Sequence, residues 1–109
     1  MEVKNREVDG KIIVDVSGDV DMKTSRLLQK SLKELVGAKI SPIIVNLEKV
    51  SYMDSSGLAT LVECLQGVRT YKGQLRLFGL SQNLKEVFKI VKLDSIFSIF
   101  SSENDALAK

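Results

Sequence analysis

Two hydrophobic periods alternate along the chain. From Lys11 to Ser17 the apolar residues Ile12, Val14 and Val16 fall on every second position, the period of a strand with one buried face. Ile13 places an apolar side chain on the other face, so that face is expected to be partly covered. Residues 2–8 carry only Val3 and Val8, of opposite parity, which predicts an edge strand or a bulge. Asp9-Gly10 between the two runs is a hairpin-turn dipeptide. The period then lengthens. Leu27, Leu28, Ser31, Leu32, Leu35 and Val36 form a stripe at helical spacing, with Asp21 or Thr24 as candidate caps and Gly37 as the stop.

Ile43-Ile44-Val45-Asn46-Leu47 is nearly continuous in apolar, β-branched residues and predicts a central strand buried on both faces. After the polar stretch around Asp54, the residues Leu58, Leu61, Val62, Leu65 and Val68 return to helical spacing, so a second helix begins near Ser55 and ends near Tyr71-Lys72-Gly73. Leu75 and Leu77 alternate with Arg76 and Phe78 in a further strand. Ser81 is placed to cap a third helix with Leu84, Val87, Phe88 and Val91 inward. Ile96 to Phe100 is short and β-prone, and Ser102 to Asp105 has a capping pattern ahead of a short last helix.

The predicted order is β-β-α-β-α-β-α-β-α. Strands alternating with helices imply an α/β fold with a mixed, mostly parallel sheet of four to five strands and right-handed crossovers. The opening hairpin supplies an antiparallel edge, and about four helices complete a single domain over residues 1–109.

Composition narrows the function. The 109 residues are 44% hydrophobic and 28% charged, as in ordinary globular domains. Net charge is +2, from 16 basic and 14 acidic residues interspersed along the chain. Without a Lys/Arg block, nucleic acid is not an expected partner. There is no histidine and one cysteine, which removes a Ser-His-Asp triad, a Cys-His pair and thiolate or imidazole metal sites. No run approaches a membrane span or a signal-peptide core, and the expected location is cytoplasmic.

Two polar segments remain as candidate sites. Asp54-Ser55-Ser56-Gly57 opens the second helix at the carboxyl edge of the sheet, where ligands and partners usually meet such folds. A helix N-terminus has unpaired N–H groups and a partial positive charge, so it tolerates a phosphate. Taken locally, Asp54 and Ser55 read as ordinary helix caps, and Gly18-Asp19-Val20-Asp21 as a strand end, turn and cap. Asp19, Asp21 and Asp54 form an acidic patch if the two loops meet, although no spacing signature for Mg²⁺ is present. Cys64 reads as a small packing residue. Lys85, Lys89 and Lys92 read as a solvated face of the third helix.

Gly18-Asp19-Val20-Asp21, together with Val45-Asn46-Leu47 through Tyr52-Met53-Asp54-Ser55-Ser56-Gly57-Leu58, resembles the hallmark segments of STAS domains, and the second segment resembles the phosphorylation loop of bacterial anti-sigma factor antagonists. The element order agrees with that family over nearly the whole chain. The resemblance implies a phosphorylation-regulated binding module with neither catalytic residues nor a cofactor, a monomer when free. The unphosphorylated form would bind an anti-sigma factor that is also a serine kinase and release the sigma factor. Phosphorylation of Ser55 would end the complex, and a metal-dependent serine phosphatase would reset it. The implied partner-binding residues are Gly18, Asp19, Asp21, Asp54, Ser55, Ser56 and Gly57. Asp54 would set the loop and its charge, and Ser56 and Gly57 would allow close approach of a kinase backbone. Ala59 departs from a second Gly common in the family. The alternative is a non-catalytic scaffold subunit of a stress-signalling or lipid-transport assembly.

Overall fold

The computed structural model describes Met1–Ala108. Five strands, β1 (Glu2–Val8), β2 (Lys11–Ser17), β3 (Ile43–Lys49), β4 (Leu75–Phe78) and β5 (Ser98–Phe100), form one sheet in the order β1-β2-β3-β4-β5. The β1–β2 pair is antiparallel and the other three are parallel. Helices α1 (Ser25–Gly37), α2 (Ser55–Arg69) and α3 (Gln82–Ile90) are the crossovers, and α4 (Glu103–Leu107) follows the last strand. The α/β class, the hairpin, the mostly parallel sheet and the four helices are those expected.

The strand faces follow from parity. Val14, Val16, Val45, Leu47, Leu75 and Leu77 join the main core with Leu28 and Leu32 of α1, Leu61 and Leu65 of α2, and Leu84 and Phe88 of α3. Burying each such side chain contributes roughly 1.5–3 kcal/mol. Phe88 stacks at a tilt on Phe97, ring centroids 5.8 Å apart. The opposite face has a smaller cluster of Ile13, Ile44, Phe78 and Ala106. That cluster is what covers Ile13. It also explains β1, which is an edge strand paired to β2 without a bulge: Val3 packs against the main core and Val8 against the small one.

Arg76 is buried on the small-core side, where its guanidinium donates to the carbonyls of Ala106 (2.8 Å) and Ala108 (2.9 Å) and to the Gln74 side chain. A buried charge is tolerable when hydrogen-bonded in this way, and it fastens the end of α4 to the sheet.

Two side chains depart from the expected stripes by being exposed. Leu27 is exposed, because α1 buries Ser25, Leu28 and Leu32, a face that leaves Leu27 to one side. Val91 is also exposed, because α3 stops at Ile90 and the chain turns away before Val91 can complete the stripe. Val87 is half-buried, as is Ile12 at the start of β2.

Candidate functional site

Neighbouring parallel strands β2 and β3 end side by side, and the loops leaving them lead into α1 and α2. The two loops are stitched together. Gly18 N–H donates to the Lys49 carbonyl, Val20 N–H to Tyr52 and Asp54 N–H to Val20, each at 3.0 Å. Val20 and Met53 thus form an isolated parallel bridge and are both buried. Gly18 sits at φ +94°, a conformation that favours glycine.

Each loop ends in an aspartate that caps a helix or its lead-in turn. Asp21 Oδ1 accepts from the N–H groups of Lys23 (2.9 Å) and Thr24 (3.0 Å), while Thr24 Oγ1 accepts from Asp21 N–H (2.9 Å). Of the two candidate caps for α1, Thr24 holds the N-cap position without a side-chain cap bond, and the Asp21 carboxylate instead ties the turn that leads into the helix. Asp54 Oδ1 accepts from Ser56 N–H (2.9 Å), Gly57 N–H (3.3 Å) and the Ser56 hydroxyl (2.6 Å). Both carboxyls are held below their usual range. For Asp21 the Thr24 N–H is the main cause, ahead of Lys23. For Asp54 it is the Ser56 hydroxyl, with burial working the other way and the N–H groups of Gly57, Ser56 and Met22 adding. Asp19 is exposed and accepts from the Ser51 hydroxyl at 3.2 Å.

The loops do meet, yet they make no cation cage. Asp21 and Asp54 turn onto backbone N–H groups, and no group of three acidic or cysteine side chains suited to a metal ion occurs among the described residues. Cys64 is buried in the main core, and that burial, with Glu63 adding, pushes its thiol up to about 12, which suits packing rather than thiolate chemistry.

The two serines differ. Ser55 is exposed as the first residue of α2, whereas Ser56 is half-buried with its hydroxyl bound to Asp54. Gly57 is buried. A Cβ there would lie 2.5 Å from Met53 Cγ and 2.8 Å from Val20 Cγ1. The missing side chain thus lets α2 close on the bridge beneath the loops, a reason different from approach of a partner's backbone. Ala59 is exposed on the same helix.

Sequence reasoning missed two further surface residues. Met22 is 77% exposed and Tyr52 50% exposed, one on each stitched loop. For Met22 an apolar residue stranded between Asp21 and Lys23 was the available signal, whereas Tyr52, beside apolar Met53, offered none.

Residues 2–106 match the model of the STAS domain. The chain belongs to the STAS domain family. It is 32% identical over 105 residues to the anti-sigma-B factor antagonist of Listeria monocytogenes, covering 96% of this chain and 91% of that one. It is 35% identical over 101 residues to the anti-sigma-B factor antagonist of Bacillus subtilis, covering 91% and 88%. Among solved structures, the fold is similar to that of the Bacillus cell fate determinant SpoIIAA in the phosphorylated form, with a TM-score of 0.76 at 19% identity over 97% of this chain and 96% of that one. No helix among the described residues is long and apolar enough to cross a membrane.

Proposed function

We propose that this STAS domain is an anti-sigma factor antagonist, a binding module whose partner face is switched by phosphorylation of Ser55. The observation that carries the assignment is the contrast between adjacent serines. Ser55 stands exposed at the helix start, while the Ser56 hydroxyl is bound to Asp54 at 2.6 Å. A kinase needs a hydroxyl it can reach and align with the γ-phosphate. Taking Ser56 would break the Asp54 cap bond.

The proposed partner face is Gly18, Asp19, Asp21, Asp54, Ser55 and Ser56, with Met22 and Tyr52 as its apolar contacts and Gly57 supporting it from beneath. The partner is an anti-sigma factor with serine-kinase activity, and a metal-dependent serine phosphatase restores the binding form. Names of relatives with over 30% identity support the antagonist role, and a fold relative described in a phosphorylated form supports the chemistry. A phosphate on Ser55 adds about −1.5 to −2 charge. The α2 N-terminus tolerates that charge in the free protein. In a closed interface the same charge must be desolvated, so the effect falls on affinity and not on folding.

The test is incubation with the anti-sigma serine kinase and ATP, followed by mass spectrometry. Ser55→Ala should abolish phosphate uptake and retain binding, Ser56→Ala should remain a substrate, and Ser55→Asp should bind at least ~10-fold more weakly, ~1.4 kcal/mol. Phosphate on Ser56, or none with a kinase active on another substrate, refutes the assignment.

A further inference from the structure

The end of the molecule opposite Ser55 carries a repeated backbone anomaly. Each crossover helix runs back along the sheet, so α1, α2 and α3 all end at the edge where β3, β4 and β5 begin. Each is closed by a lysine in the left-handed conformation: Lys39 at φ 57°, Lys72 at φ 59° and Lys92 at φ 62°. In each case the next N–H bonds back to the helix, from Ile40 to Leu35, Gly73 to Val68 and Leu93 to Phe88. That is the turn in which glycine is the usual residue, because a Cβ is disfavoured there. The first two turns are joined by Tyr71 Oη donating to the Ile40 carbonyl at 2.7 Å and Gln74 N–H to Ser41 Oγ at 3.0 Å.

All three lysines are exposed. Beside Lys92, the end of α3 and the turn after it expose Ile90 (78%), Val91 (46%) and Ile96 (40%). Lysine at a helix C-terminus does offset the macrodipole, but that role does not require a left-handed residue, nor aliphatic side chains in water. Asp9 and Asp94 are the acidic residues in the turns of this end, too few to neutralise the lysines.

We propose that this pole is a docking surface for an anionic lipid bilayer, with the lysines over the headgroups and Ile90, Val91 and Ile96 entering the interface. Charge complementarity identifies the class of partner. The spread of the lysines over three helix ends selects a plane rather than a linear acidic peptide, and the exposed aliphatics have no use against a phosphodiester backbone. Docking by this pole leaves the opposite end, with Ser55, facing solution. The proposal does not depend on the phosphorylation of Ser55.

Vesicles of equal parts phosphatidylglycerol and phosphatidylcholine test it by co-sedimentation at low salt, against pure phosphatidylcholine. The full chain should sediment with the anionic vesicles only and be released by salt. Replacing Lys39, Lys72 and Lys92 together by Gly should weaken partitioning by roughly fivefold per lysine, on the order of a hundredfold in all, while the melting temperature stays level or rises because the left-handed strain is relieved. Should the triple glycine variant not fold, the triple asparagine variant serves, since Asn tolerates this conformation. Ile90→Ser should cost about tenfold in partitioning without changing the fold. Absence of anionic-vesicle binding overturns the proposal, as does undiminished binding by the lysine variants. Binding to poly-glutamate with no binding to vesicles also overturns it, assigning the surface to an acidic protein instead.

Discussion

Replacing Gly57 by alanine tests whether close packing of α2 on the two stitched loops sets the geometry of the switch end. Alanine is the better helix former, by about 1 kcal/mol in an interior position, so local propensity alone predicts stabilisation. Packing opposes it. The new Cβ would stand 2.5 Å from Met53 Cγ and 2.8 Å from Val20 Cγ1. The Met53 side chain is flexible and can yield, but Val20 is stiff at χ1, buried, and fixed by its backbone bonds to Tyr52 and Asp54. Overpacking of this kind costs ~1–3 kcal/mol, and contacts this short belong to the upper part of that range, so with the propensity gain subtracted the net expectation is destabilisation by up to ~2 kcal/mol and a Tm lower by up to roughly 10 °C. Urea denaturation followed by circular dichroism measures it, with an unchanged m-value showing that the denatured state is not the cause. Met53→Ala is itself destabilising because Met53 is buried, but in that background Gly57→Ala should cost less than in the parent, because the space the methyl needs is empty and the two sites are coupled. A Gly57→Ala protein as stable as the parent, or more so, refutes the argument.

Two further outcomes are expected. Arg6 forms ion pairs with Asp15 and Glu103, and both carboxyls lie below their usual range. For Asp15, burial works against ionisation and the hydrogen bonds from Arg6 and Asn46 outweigh it; for Glu103 the Arg6 hydrogen bond dominates. The stabilisation is therefore complete above the unfolded carboxylate range, about pH 4, and is lost as pH falls through the depressed folded values. Arg6→Met should flatten the acid limb of the stability curve while costing no more than ~1 kcal/mol at neutral pH, because the pairs are over a third exposed at Arg6 and Glu103; equal acid slopes for the two proteins would count against it. Cys64, with its thiol pushed up to about 12, should resist thiol reagents in the folded protein and react at once in denaturant, and fast native labelling would show that its burial has been misjudged.

Most of the scaffold was legible from residue order because one-sided periodicity reports burial directly. Leu28 and Leu32, Leu61 and Leu65, and Leu84 and Phe88 all face the sheet as their spacing requires. What sequence could not show arises between distant segments. Arg76 reads as a solvent residue of an alternating strand, and the carbonyls of Ala106 and Ala108, some thirty positions later, join Gln74 in making its burial tolerable. Val87 and Val91 continue the stripe on paper, but α3 ends before Val91 can use it. At the site, Asp21 and Asp54 were readable as caps because capping is local. The bridge between Val20 and Met53 was not, since parallel pairing leaves no local trace. The packing need for glycine at position 57 follows from that bridge, and so is equally hidden in residue order.

The bridge also bears on how a phosphate can act. A loop free to move responds to new charge by rearranging, and affinity then changes through shape. Here the backbone around Ser55 is held by the bonds of Val20 to Tyr52 and of Asp54 to Val20, by the Asp54 cap and by close packing at Gly57. Movement would expose Val20 and Met53 or orphan the cap, each a loss with no compensating contact. A phosphate proposed at Ser55 therefore meets a rigid frame, and its influence on a partner is expressed as charge and bulk at a fixed position. Amide hydrogen exchange separates the alternatives. Phosphorylated and unphosphorylated protein should show the same protection at Val20, Asp54 and Leu58, whose N–H groups hold this frame. Loss of protection there on phosphorylation would place the switch in a loop rearrangement, and with it would go the expectation that Ser55→Asp weakens binding without altering the fold.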